Sequence, residues 1–123
     1  ISSGNVKEFL AAAPNIHLSA LKIWSSQILS GLQYLHSHSP PIIHRDIKPE
    51  NIFINGNTGT IKIGDFGIST FSSDSLDILG TPEYMAPECY KQSYDEKIDI
   101  WAFGMTFLEL LTSQCPYGDC DSV

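Results

Sequence analysis

Positive charge is scarce in this chain. Seven Lys and Arg stand against fourteen Asp and Glu, for a formal net charge of −7 over 123 residues. The imbalance is local: residues 1–64 carry five basic and three acidic side chains (+2), residues 65–123 two and eleven (−9). Such a chain repels polyanions, so nucleic-acid binding by simple electrostatics is not expected, and a partner offering Lys or Arg is easier to accommodate. Cysteine is also sparse. The three, Cys89, Cys115 and Cys120, include no C-x-x-C pair. That argues against a disulfide framework or a zinc site and makes a reduced, cytoplasmic setting the expectation. No apolar run has the length of a transmembrane helix and no signal peptide opens the chain, so membrane insertion is not expected. There is no glycine-rich loop to cradle a phosphate and no internal repeat. The chain opens on Ile1, not Met, and is expected to be a piece of a longer product.

What is present suits one small domain with its own core. A short helix is expected over 5–12. Ser19 reads as the N-cap of a second helix, in which Leu21, Trp24, Ile28, Leu32 and Leu35 recur at helical spacing until Pro40 and Pro41 stop it. Strands are expected at Ile42–Ile43, Ile52–Ile54 and Thr60–Ile63, the last two joined by a hairpin loop over "NGNTG", residues 55–59. Residues 66–94 are rich in Ser, Gly and Pro without a sustained period, and a loop of that length is functional or disordered. A last helix is expected from Asp95 to Thr112. It is apolar nearly all round, which predicts burial on every side. Asp99 lies in that apolar stretch. A buried carboxylate is costly unless hydrogen-bonded, so Asp99 is expected to hold backbone N–H groups of a nearby loop.

The most informative stretch is "IIHRDIKPENIFI", residues 42–54. It sets an acid (Asp46), a cation (Lys48) and an amide (Asn51) between two apolar, β-branched flanks. "DFG" follows with its Asp fourteen residues after Asn51, at 65–67, and "APE" follows at 86–88. Each motif alone is weak. All three in this order and at these separations resemble the eukaryotic protein kinases. The resemblance implies an α+β fold, the mainly helical C-terminal lobe of the kinase with short hairpins at the cleft. It implies ATP and Mg²⁺ as cofactors and a protein as substrate.

By the same resemblance, Asp46 orients the substrate hydroxyl and accepts its proton, and Lys48 lies against the transferring phosphate. Asn51 and Asp65 supply oxygen ligands to Mg²⁺, as a hard cation prefers. Phe53 forms the floor of the adenine pocket. Thr81, in "GTPEYMAPE", bonds the catalytic Asp and Lys. The pair Lys48 and Thr81 is that of Ser/Thr kinases, so the acceptor is expected to be Ser or Thr. His44 packs against Phe66 as a structural residue, not as a base. Glu88 pairs, in the family, with an Arg far downstream. Arg45 waits for an anion on the loop that carries Ser69, Thr70, Ser72, Ser73 and Ser75. No Lys or Arg occurs between Lys62 and Lys91. Asp77 stands three residues before Gly80, where these kinases carry an activating phosphoserine, and reads as a weak permanent substitute. Ser73 or Ser75 would add to it when phosphorylated by an upstream kinase or by autophosphorylation.

Longer stretches, "WSSQILSGLQYLHSHSPPIIHRD", "IFINGNTGTIKIGD" and "YDEKIDIWAFGMTFLELLTSQCPY", are similar to the with-no-lysine (WNK) kinases over most of residues 20–118. Three positions depart from that family: Phe66, where it generally has Leu, and Pro49 and Glu50, where it usually has Cys-Asp. The resemblance places residues 1–4 at the hinge between the lobes. Residues 1–123 are thus expected to be a partial kinase domain, inactive by itself. Two other functions stay open. One is a pseudokinase or scaffold. The other is a small-molecule phosphotransferase with a similar catalytic loop, against which "GTPEYMAPE" argues.

Overall fold

The computed structural model describes residues 2–74 and 76–117. Ile1, Ser75 and Cys120 lie outside them. Strand β1 (Ser2–Asn5) runs straight into helix α1 (Val6–Ala12). Asn5 caps α1: its Oδ1 accepts the Glu8 N–H at 2.8 Å, and its Nδ2 donates to the Glu8 carboxylate at 2.9 Å. Helix α2 follows over Leu18–His36, and its five-residue apolar stripe is buried as the spacing predicts. The cap of α2 differs from expectation. His17 precedes the helix in extended backbone, and its Nδ1 accepts the Ser19 N–H at 3.2 Å, so Ser19 sits in the first turn.

Strand β2 (Ile42–Ile43) leads into the polar loop. A 3-10 turn at Pro49–Asn51 delivers the chain into β3 (Ile52–Asn55), which pairs antiparallel with β4 (Ile61–Ile63). The hairpin between them closes where the Gly59 N–H reaches the Asn55 carbonyl at 2.7 Å. Strand β1 pairs with the other edge of β3, giving the order β1-β3-β4. The long loop is more ordered than its composition suggests. It holds a strand, β5 (Thr70–Phe71), paired with β2, and 3-10 turns at Pro82–Tyr84 and Pro87–Lys91.

Helix α3 (Lys97–Thr112) starts two residues later than expected. Asp95 stands before it and accepts the Lys97 N–H at 2.9 Å, behaving as a cap. The helix is not buried on every side. Ile98, Ala102, Thr106, Glu109 and Leu110 are buried, while Ile100, Trp101, Leu108 and Leu111 are exposed. Its inner face joins the stripe of α2, the apolar side of α1 and the Ile residues of β3 and β4 in one core. A second, smaller cluster gathers Ile43, Ala86, Cys89, Tyr94 and Ile98 under the loop. The architecture is α+β, with the polar loop suspended between the two clusters.

Candidate active site

Alternation explains how a short loop can hold so many polar groups still. Ile43, Ile47 and Ile52 have no solvent exposure and act as apolar pegs. Between the pegs the chain turns its polar side chains toward one another. Thr81 joins them from the far loop: its hydroxyl donates to Asp46 Oδ1 at 2.8 Å and accepts from Lys48 Nζ at 2.7 Å. Lys48 Nζ also stands 3.8 Å from Asp46 Oδ2. Asn51 Nδ2 donates to the Asp46 carbonyl at 2.7 Å and to Asp46 Oδ2 at 3.1 Å. Those bonds spend the amide's N–H₂ side on Asp46 and point its oxygen elsewhere.

Asp65 is exposed and adopts φ 54°. Its Oδ1 accepts only the Gly67 N–H, at 3.3 Å, among the described residues. The β3–β4 register carries it close to Asn51, because the Gly64 N–H bonds the Asn51 carbonyl at 2.8 Å. An amide oxygen and a carboxylate are donors of the kind Mg²⁺ takes, so the residues present fit that ion. Phe53 lies on the face of β3 opposite Ile52 and Ile54. A Cβ on Gly64 would come within 2.6 Å of its ring, so glycine is needed there for close approach.

His44 is fully buried. The Asp46 N–H donates to its Nδ1 at 3.1 Å, and its Nε2 lies 2.8 Å from the Gly64 carbonyl. An N–H on one side and a carbonyl on the other require the tautomer with the proton on Nε2. Both nitrogens are thereby engaged, and the ring packs edge-on against Phe66 at 5.0 Å. Asp99 is the support beneath. Its Oδ2 accepts the His44 N–H at 2.8 Å and its Oδ1 the Arg45 N–H at 3.0 Å, while His36 Nε2 reaches Oδ2 at 2.9 Å. Arg45 takes φ 73°, a conformation disfavoured for a non-glycine residue, which the Asp99 bonds hold. Gly80 (φ 132°) faces it, where a Cβ would stand 2.9 Å from the Arg45 carbonyl.

The positions expected to regulate are not joined by a simple ion pair among the described residues. Arg45 Nε donates to the Ile68 carbonyl at 2.6 Å and Nη1 to the Tyr94 hydroxyl at 3.3 Å. That hydroxyl donates in turn to the Asp77 carbonyl at 2.5 Å. Asp77 is therefore tied to Arg45 through Tyr94 and a backbone oxygen, while its carboxylate is exposed and makes no ion pair among the described residues. Ser73 and Glu88 are exposed, and Glu88 also has no ion pair among the described residues.

The motifs do not mark the contacts of Glu109 with Lys7 and Tyr84, or those of Tyr94 with Arg45 and Asp77. Glu109 on α3 is 1% exposed. It accepts Lys7 Nζ from α1 at 2.6 Å and the Tyr84 hydroxyl from the loop after Thr81. The rule that singles out Asp99, a carboxylate inside an apolar helix, applies equally to Glu109; nothing in the sequence signals Lys7 or Tyr94. Burial opposes the Lys7 charge, but the Glu109 bond and its negative charge outweigh burial and raise the Lys7 pKa above 10.5. Burial, then the Glu109 bond and charge, push the Tyr84 phenol well above its usual 10.0. Burial likewise raises the Cys89 thiol.

The raised Lys7 and Tyr84 values have one consequence. As pH climbs, the unfolded chain gives up these protons first, so the cluster's stabilisation is whole below about pH 10 and is lost above it. Thermal midpoints measured from pH 8 to 11.5 should fall more steeply for the parent than for Tyr84→Phe; parallel slopes would refute the coupling.

Helices set against a small hairpin sheet, with an Asp, a Lys and a Thr bonded together at the loop between them, form the arrangement expected of a protein kinase domain. The sequence profile of the protein kinase domain matches residues 1–122, and the chain belongs to that family. It is similar to "Serine/threonine-protein kinase WNK" of Caenorhabditis elegans, 48% identical over 98% of this chain and 7% of that protein. It is also similar to "Probable serine/threonine-protein kinase WNK4" of Arabidopsis thaliana, 48% identical over 98% of this chain and 22% of that protein. "Probable serine/threonine-protein kinase WNK6" of Oryza sativa subsp. japonica is 49% identical over 97% of this chain and 28% of that protein. The chain thus spans between 7% and 28% of the length of these curated relatives. Among the described residues no helix is long and apolar enough to cross a membrane.

Proposed function

We propose that the protein containing these residues is a WNK-like serine/threonine kinase, transferring the γ-phosphoryl group of ATP to a Ser or Thr hydroxyl of a protein. The observation that carries this reading is the Asp46–Thr81–Lys48 lock, in which the loop expected to hold a peptide is bonded to the expected base. In the transfer, the acceptor oxygen bonds to phosphorus as the bond to the ADP oxygen breaks, and the hydroxyl proton passes to Asp46. Lys48 sets positive charge against the moving phosphoryl group. Mg²⁺, with oxygen ligands from Asn51 and Asp65, supplies charge neutralisation on the phosphates when bound. Phe53 offers an apolar face to the adenine. His44, Phe66 and Asp99 support the loop.

A small-molecule phosphotransferase would have no use for a loop at 81–86 bonded to the base, and a pseudokinase would not need all four of Asp46, Lys48, Asn51 and Asp65. The test is phosphorylation of Ser, Thr and Tyr peptide libraries by the full-length protein. Transfer to Ser and Thr is expected, and transfer only to a small molecule, or none, refutes the reading.

Control is proposed to centre on Arg45. Asp77 provides one negative charge near it, and a phosphate on Ser73 or Ser75 would add roughly −1.5 to −2. Asp77→Asn keeps the carbonyl held by Tyr94 and removes only the charge. An exposed charge of this kind is worth up to about 1 kcal/mol, so phosphatase-treated Asp77→Asn should lose roughly two- to fivefold of basal activity. Unchanged activity would remove Asp77 from the account.

A further inference from the structure

The loop that begins at Thr81 has a second anchor at Tyr84, and that anchor is a buried charge. Glu109 lies 1% exposed on α3, and a carboxylate so buried is costly unless a cation pairs with it. Lys7 is that cation, 2.6 Å away. No other Lys or Arg bonds Glu109 among the described residues. The pair is lopsided: the Lys7 side chain is 41% exposed, at the mouth of a cavity of about 170 Å³ lined by Leu10, Ala11, Glu109 and Ser113. The amine meets water, while the carboxylate is covered. The Tyr84 hydroxyl, also 3.8 Å from Cys115 Sγ, donates to the same carboxylate. Glu50, in the turn next to the catalytic loop, adds a further negative charge that Lys7 feels and has a buried Oε1 without a hydrogen bond.

The path of the chain gives this pair a mechanical meaning. Lys7 rides on α1, which continues β1, and β1 pairs with β3 directly after the catalytic loop. Tyr84 is three residues from Thr81, which is locked to Asp46. We propose that Lys7 is a positioning residue: by neutralising Glu109 it fixes Tyr84 and so the loop that receives the acceptor peptide. The inference rests on the kinase reading above and extends it to a residue outside every kinase motif in the sequence. Lys7 has no bond to Asp46, Lys48, Asn51 or Asp65. Its loss should therefore appear in peptide binding and not in the handling of ATP.

The experiment uses the full-length protein with Lys7→Met, Lys7→Arg, Glu109→Gln and the double variant Lys7→Met/Glu109→Gln. It measures KM for a Ser/Thr peptide, KM for ATP and kcat. Lys7→Met should raise the peptide KM about tenfold, since an unpaired buried charge displaces the loop it anchors, with the ATP KM within about twofold of parental. Lys7→Arg should restore most of the loss. In the Glu109→Gln background the amide oxygen still accepts the Tyr84 hydroxyl and needs no cation, so Lys7→Met should there change the peptide KM less than about twofold. An unchanged peptide KM in Lys7→Met overturns the proposal. So does an equal rise in both backgrounds, or a fall in kcat with a matching rise in the ATP KM, because each marks general damage and not positioning. A parental protein that phosphorylates no peptide overturns the kinase reading itself, and this inference with it.

Discussion

Replacing Asp46 by Asn in the full-length protein should lower kcat about a hundredfold to ten-thousandfold, the range of a lost general base. The structure adds a second reason. Both Asp46 oxygens accept hydrogen bonds, Oδ1 from Thr81 and Oδ2 from Asn51, with Lys48 nearby. An amide offers one oxygen and one N–H₂ group. With its oxygen toward Thr81, its N–H₂ group meets that of Asn51, donor against donor; turned the other way, it keeps the Asn51 bond only if the Thr81 hydroxyl reverses and accepts. The loss is thus of proton acceptance and of geometry together. Asp65→Asn should differ, since Asp65 touches neither Thr81 nor Lys48. Its cost is expected mainly in the use of Mg·ATP, with the peptide KM near parental. Steady-state kinetics at varied ATP and peptide separates the two. Near-parental turnover in Asp46→Asn would refute the catalytic assignment.

The largest effect on stability is expected at Asp99. Its carboxylate is 1% exposed and satisfies two backbone N–H groups, of His44 and Arg45, besides the His36 ring. Asp99→Ala strands those donors and releases the positive-φ conformation of Arg45, for a cost of about 3–5 kcal/mol. Asp99→Asn keeps the shape and one good acceptor, so about half that cost is expected. Denaturant unfolding of the full-length variants gives both numbers. Equal destabilisation by Ala and Asn would mean that shape, not acceptance, is what the site requires. A drop below about 1 kcal/mol for Ala would mean that the loop finds other partners.

Some of this molecule is local, and local features can be read from residues alone. The stripe Leu21–Leu35 follows from 3.6-residue periodicity. The β3–β4 hairpin follows from β-branched runs around Asn-Gly and Thr-Gly. The need for Asp99 to find N–H partners follows from the cost of burying a carboxylate, and the structure supplies them in the loop before Asp46. The order and spacing of the loop motifs carried the family. Other features depend on which elements meet. The cap at His17 in place of Ser19 turned on a ring nitrogen reaching one N–H, and both residues are plausible caps in isolation.

Strand β1 exists because β3 offers it an edge, not because of its own residues. The apolar surround of α3 implied burial that packing satisfies only on one face, since periodicity reports which residues avoid water and not what covers them. The long loop is structured by distant bonds: β2 to β5, Tyr94 to Asp77, Thr81 to Asp46. Asp77, read as a weak permanent substitute for a phosphate, is joined to Arg45 through a Tyr hydroxyl that no motif marks. Lys7 meets Glu109 across 102 residues of sequence. Chain order and residue type determined the chemistry available at the loop. Which charge neutralises which was decided in three dimensions, because pairing energy depends on distance and burial, and neither is a property of one residue.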